Sequence, residues 1–193
     1  MAIDRCQDKS KIPQVSFLDQ NGQFNFNVKL ERMNDEELAK TASPFTDGLF
    51  DKLMAAYPKE QWIALLETDR GCPYSCSYCE WAGAIEDKVY KFSLPQTYAN
   101  IMWQAEHHIP YVFICNANFG IFERDVQIAE FLAEANAKHG YPEAVSTQNA
   151  KNPKPHTIKA LKTLESAGIN KATVMSQQSL NPSTLEAVRR KNM

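Results

Sequence analysis

Three of the five cysteines in this chain, Cys72, Cys76 and Cys79, fall within eight positions, shortly after an apolar run, Trp62 to Leu66, that reads as a buried strand. The CxxxCxxC spacing offers three thiolates to one inorganic centre and leaves that centre's fourth corner free. A closed structural zinc site takes four ligands, so zinc here needs a further one, with His107, His108 and Cys115 as the candidates. Three thiolates on a cubic 4Fe-4S cluster instead leave one iron open to a small molecule, which makes the cluster a place for chemistry as well as a staple. Disulfide pairing would leave one cysteine of the three over, and nothing in the chain suggests an oxidising compartment.

The rest of the composition fits a chain that builds a core. With 193 residues and 44% hydrophobic content, one domain is the soft expectation. A formal charge of −2 gives no global basic field of the kind nucleic acid attracts, although Arg189, Arg190 and Lys191 make a local patch. No apolar run approaches the roughly 18 residues of a membrane span, and no secretory signal stands at the N-terminus. A cytoplasmic location is expected, and a reduced compartment suits an exposed cluster.

Organisation changes near residue 45. Val15 to Phe17 and Phe24 to Val28 alternate apolar and polar residues about Asn21-Gly22, which predicts a hairpin over 15–28. Asn34 and Glu37 mark a short capped helical turn, and Phe50, Leu53 and Met54 another short helix ended by Pro58. Residues 1–45 thus read as a linker and β-hairpin following an upstream domain, and 46–193 as a core domain.

From residue 62 strands alternate with helices. Ser93 and Gln96 read as a capping box for a helix that Pro110 ends; Tyr111 to Cys115 is a second strand. Ile128, Phe131, Leu132 and Ala135 line the next helix, stopped at Gly140, and Glu143 to Thr147 is a weaker third strand. Ile158, Leu161 and Leu164 mark a helix stopped at Gly168. Lys171 to Met175 is expected as a fourth strand, and Asn181-Pro182 opens a last helix. Such alternation implies an α/β fold of parallel strands joined by right-handed crossovers.

Further segments carry a family resemblance. Glu67-Thr68-Asp69-Arg70-Gly71-Cys72-Pro73-Tyr74 leads into the triplet, and aromatic Tyr78 precedes Cys79. Together they resemble the signature of radical S-adenosylmethionine enzymes, in the subgroup that usually carries a cobalamin-binding domain upstream. Asn116 to Gly120 and Ser176 to Ser179 are similar to segments of the same subgroup. The resemblance implies a partial (βα) barrel, here truncated after about four units and preceded by the hairpin and linker, so that the chain reads as a fragment of a longer protein. It also implies a 4Fe-4S cluster on Cys72, Cys76 and Cys79. S-adenosylmethionine would bind the open iron and be cleaved reductively to a 5′-deoxyadenosyl radical. Methyl transfer through cobalamin is the expected reaction of the intact protein, with a rearrangement, ring closure or methylthiolation as the alternative enzyme reading. A non-catalytic zinc or iron-sulfur module is the alternative from another class. Partners implied are a small-molecule substrate and an electron donor such as flavodoxin or ferredoxin.

Remaining cofactor contacts are expected where strands end. By the resemblance, Tyr78, just before Cys79, could pack beside adenine, or simply pack the core or loop, and Trp81, after Cys79, could line the cofactor's rim. Asn116 and Asn118 stand where many family members carry an acidic amino-group binder; an asparagine accepts through its carbonyl but brings no charge, and a turn role is the alternative. Gln148, Ser176 and Gln178 supply amides and a hydroxyl suited to ribose and adenine, against capping roles. Arg189 is a candidate carboxylate clamp, against a cation closing a helix. Cys115 reads as a buried small hydrophobe.

Overall fold

Residues 9–12, 15–27, 34–80 and 88–190 are described by a computed structural model, in which the chain divides into two compact units, 1–34 and 35–193. In the first, β1 (Ser16–Leu18) and β2 (Phe24–Phe26) pair antiparallel, Ser16 opposite Phe26. The hairpin is where the alternation placed it. Its loop is tied by Asp19, whose carboxylate accepts from the backbone N–H groups of Asn21 and Gln23, each at 2.9 Å. Val28 lies outside the described residues.

The first unit ends at residue 34, and α1 (Asp35–Ala39) is bonded into the second. Its Asp35 carboxylate accepts from the Lys91 backbone N–H at 2.8 Å, and Ser43 donates to Asn100 at 2.6 Å. In α2 (Leu49–Ala56), Phe50 and Met54 face the core, where Phe45 meets Phe50 edge-on with ring centroids 4.9 Å apart.

The scaffold of the site is a parallel sheet. β3 (Ile63–Leu66) leads to a short antiparallel pair, β4 (Asp69–Gly71) with β5 (Val89–Lys91), and then to α3 (Leu94–Glu106). There follow β6 (Tyr111–Phe119), α4 (Arg124–His139), β7 (Ala144–Asn149), α5 (Pro155–Ser166) and the short α6 (Pro182–Ala187). Strands run in the order β3-β6-β7, Ile63 beside Tyr111 and Tyr111 beside Ala144. Alternate side chains take opposite faces of a strand. Ala64, Leu66, Val112, Ile114 and Val145 are buried with Ile101, Ala105, Ile128, Leu132 and Leu164 of the helices, whereas Ile63 and Leu65 stay 60% exposed on the other face.

Side-chain caps start α3 and α6. The Ser93 hydroxyl accepts from the Gln96 backbone N–H at 3.3 Å, but the Gln96 amide donates to Thr41 at 2.9 Å, so only half of the expected capping box forms. Asn181 caps α6 by accepting from Ser183 and Thr184.

Lys171 to Met175 does not form the expected fourth strand. Asn170 alone bridges to Val145, and Val174 remains 70% exposed. The Asn149 side-chain amide donates to the Val174 carbonyl at 2.9 Å, occupying a backbone group that a ladder would have used. The second and third strands run longer than expected, so that Asn116, Asn118, Gln148 and Asn149 are strand residues.

Candidate functional site

The cysteine segment leaves the carboxyl end of β3 through a buried polar joint. Thr68 and Asp69 are fully or nearly buried, and backbone groups there need partners. Asn116 supplies them from the neighbouring strand. Its carbonyl oxygen accepts from the backbone N–H groups of Thr68 at 2.9 Å and Asp69 at 3.4 Å. Its amide donates to the Thr68 hydroxyl at 2.6 Å and the Asp69 carboxylate at 2.7 Å. Burial, followed by the negative charge of Asp125, pushes the Asp69 carboxyl up to about 7. Asp125 is itself raised by burial, although it accepts from the Gly120 and Phe122 backbone N–H groups at 2.8 and 3.1 Å.

Beyond the joint, β4 and β5 bring Gly71 opposite Val89. Gly71 has φ 118°, and a Cβ there would stand 2.0 Å from the Lys88 carbonyl oxygen, so the close approach admits glycine alone. Arg70 forks onto Glu67, Nε–H donating at 2.9 Å and Nη2 at 2.5 Å, across the outside of the joint.

Cys72, Cys76 and Cys79 line one cavity of about 320 Å³, at the lower end of the range of small-molecule sites. Cys76 is buried, Cys72 half-buried and Cys79 exposed. Among the described residues no three His, Cys, Asp or Glu side chains converge closely enough to hold a single metal ion. Three thiols lining one cavity are the donor set of a 4Fe-4S cluster, whose ligands bind different irons. Of the candidates for a fourth zinc ligand, Cys115 lines the same cavity, whereas His107 bonds with Asp51 at 2.8 Å and stacks on Trp103 just before β6 begins.

Two polar side chains converge on the thiols. The Asn118 amide donates to Cys72 Sγ at 3.2 Å, from a position only 7% exposed. Arg190, 5% exposed, lines the cavity, its Cζ 4.1 Å from the centre of the Tyr74 ring, and its Nε and Nη2 have no partner among the described residues. Such a buried, unpaired cation is costly unless an anion joins it. The chain end bearing Arg190 is docked on the cysteine loop: Ser77 donates its N–H to Val188 O at 3.3 Å and its hydroxyl to Ala187 O at 3.2 Å.

The cavity gathers Tyr78, Asn116, Asn118 and Gln148 with the three cysteines. Ser176, Gln178 and Arg189 do not line it. Gln178 accepts from the Tyr78 hydroxyl at the rim, while Ser176 and Arg189 are exposed. Trp81 lies outside the described residues. The cavity also contains Cys115, whose thiol is raised by burial, and Lys151. Neither the inward turn of Arg190 nor its choice over Arg189 could be read from two adjacent arginines. Arg189 takes φ 53°, and this left-handed step falls between the exposed and the buried guanidinium.

Three parallel βα units with a three-thiol loop at the mouth of the first strand define the class: an α/β protein whose open sheet end is lined by sulfur and cations. No family model matches the chain. It is 40% identical over 158 residues to the cobalamin-dependent radical SAM methyltransferase TokK of Streptomyces tokunonensis, a match covering 81% of this chain and 23% of that protein. It is 38% identical over 156 residues to the 2-(S-pantetheinyl)-carbapenam-3-carboxylate methyltransferase of Streptantibioticus cattleyicolor, covering 80% and 23%. The chain therefore spans about a quarter of the length of these curated relatives. Among solved structures, the radical S-adenosylmethionine methyltransferase TsrM from Kitasatospora setae, with cobalamin and a [4Fe-4S] cluster bound, superposes with a TM-score of 0.65 at 13% identity, over 98% of this chain and 37% of that one. The cobalamin-dependent enzyme OxsB, with aqua-cobalamin and S-adenosylmethionine bound, gives 0.55 at 18% identity, over 96% and 27%. The chain belongs to the radical S-adenosylmethionine superfamily, in its cobalamin-associated subgroup.

Proposed function

We propose that this chain supplies the cluster-binding portion of a cobalamin-dependent radical S-adenosylmethionine methyltransferase, and that its three βα units open the partial barrel of that family. The reading rests on one observation: Cys72, Cys76 and Cys79 share a cavity with a buried guanidinium, two of whose nitrogens have no partner among the described residues. A 4Fe-4S cluster held there would supply the electron for reductive cleavage of S-adenosylmethionine.

Each residue then has a task. The three thiolates would hold the cluster and leave one of its irons without a protein ligand. Arg190, in place of Arg189, is suited to the cofactor's carboxylate, since guanidinium pairs with carboxylate through two parallel hydrogen bonds. Gln148 and the rim formed by Tyr78 with Gln178 offer polar groups to ribose and adenine. Asn116 has both amide hydrogens and its oxygen engaged by Thr68 and Asp69, so it positions the loop. A small-molecule substrate, cobalamin, and a one-electron donor of the flavodoxin or ferredoxin kind complete the reaction.

Anaerobic reconstitution with iron and sulfide tests the reading. It should give a brown protein with about four irons per chain, and Cys76→Ala should abolish that yield. Adding S-adenosylmethionine to the reduced protein should change its electron paramagnetic spectrum. Stoichiometric zinc without visible absorption would overturn the proposal.

A further inference from the structure

Asn116 and Asn118 stand two residues apart on β6 yet act in different directions. The pairing of β6 with β7 shifts register between Ile114 and Phe119, and both asparagines lie inside that irregular stretch. Asn116 turns to the Thr68–Asp69 joint, with both amide hydrogens engaged there. Asn118 sends its amide nitrogen to within 3.2 Å of Cys72 Sγ, in a nearly buried position. An amide N–H gains little from a neutral thiol. It gains more from an electron-rich thiolate, because a charged acceptor strengthens a hydrogen bond, and the part-buried pair is partly shielded from water.

Resting on the cluster reading above, we propose that Asn118 sets the reduction potential of the centre held by Cys72. A hydrogen bond donated to a ligand sulfur is strengthened when the centre takes up an electron, so it stabilises the reduced state and raises the potential. Arg190 acts on the same cavity through its positive charge and makes no hydrogen bond to a thiol among those the structure shows. Keeping Arg190 in every variant isolates the amide.

The test is a potentiometric titration of the reconstituted protein, followed by electron paramagnetic resonance, with iron content measured on each sample. Asn118→Leu removes the donor at similar volume, and Asn118→Asp removes it while adding negative charge. Both should keep the parent's iron content. At the parent's midpoint, the ratio of reduced to oxidised cluster should fall about ten-fold in Asn118→Leu, equivalent to about 59 mV for one electron, and further in Asn118→Asp. Fully loaded variants that titrate with the parent would overturn the inference. Loss of the cluster from both variants would also overturn it, since Asn118 would then only position the loop. A parent that takes up no cluster fails the functional reading itself, whereas a loaded parent with unmoved variants fails this inference alone.

Discussion

Asp69, 4% exposed, ends the buried joint three residues before Cys72. Its carboxyl is held at about 7, against an ordinary value of 3.8, by burial and then by Asp125, with Arg124 and Lys91 opposing and Glu67 adding to the rise. The folded protein therefore binds a proton that the unfolded chain has already released. That contribution to stability is fully present below pH 3.8 and is lost as pH rises through about 7. Its upper bound is on the order of 4 kcal/mol, at about 1.36 kcal/mol per pH unit. Asp69→Asn copies the protonated form, so urea midpoints measured from pH 4 to 8 on the metal-free protein should fall more steeply for the parent. Parallel curves would show that Asp69 is not the proton's site. Gly71→Ala should cost more than the usual strain of a positive φ, because its Cβ meets a carbonyl oxygen at 2.0 Å, whereas Gly140→Ala, with nothing within 4 Å, should lose only about 1–2 kcal/mol. Iron uptake should fail in the first and persist in the second. At this scale the cysteines were legible because their spacing is local. The hydrogen bond of Asn118 and the inward turn of Arg190 were not, since each depends on strand register or on one left-handed residue.

Among the elements, α6 has only six residues, so its cap carries an unusual share of its stability. Asn181→Ala should remove about 1 kcal/mol. Because Ala187 and Val188 accept from Ser77, a looser α6 should free the cysteine loop more often. Iron loss to a chelator should be several-fold faster in the variant; an unchanged rate would mean that the loop does not depend on that dock. The three long helices and three strands were legible from periodicity and from glycine and proline stops. The β4–β5 pair was not, since three-residue strands carry too few positions for alternation to show. Lys171 to Met175 misled because its β-branched residues suit a strand whose backbone partners the fold does not supply beyond Asn170.

For the whole molecule, the chain matches about a quarter of the curated methyltransferases it resembles, so a product assay belongs to the full-length protein. With strong reductant, methyl donor and substrate, the proposed reaction should yield 5′-deoxyadenosine together with S-adenosylhomocysteine, as methylating cobalamin consumes a second cofactor molecule. Deoxyadenosine alone would point to a rearrangement. Location remains an expectation; among the described residues no helix is long and apolar enough to cross a membrane.

The antiparallel pairing of Gly71 with Val89 closes the chain around all three cysteines by backbone bonds alone. Closing a flexible loop costs entropy that grows with the logarithm of its length. Here three ladder pairs, from Asp69 with Lys91 to Gly71 with Val89, offset that cost. Substitutions that break the pairing should therefore slow iron uptake even though they leave every cysteine in place.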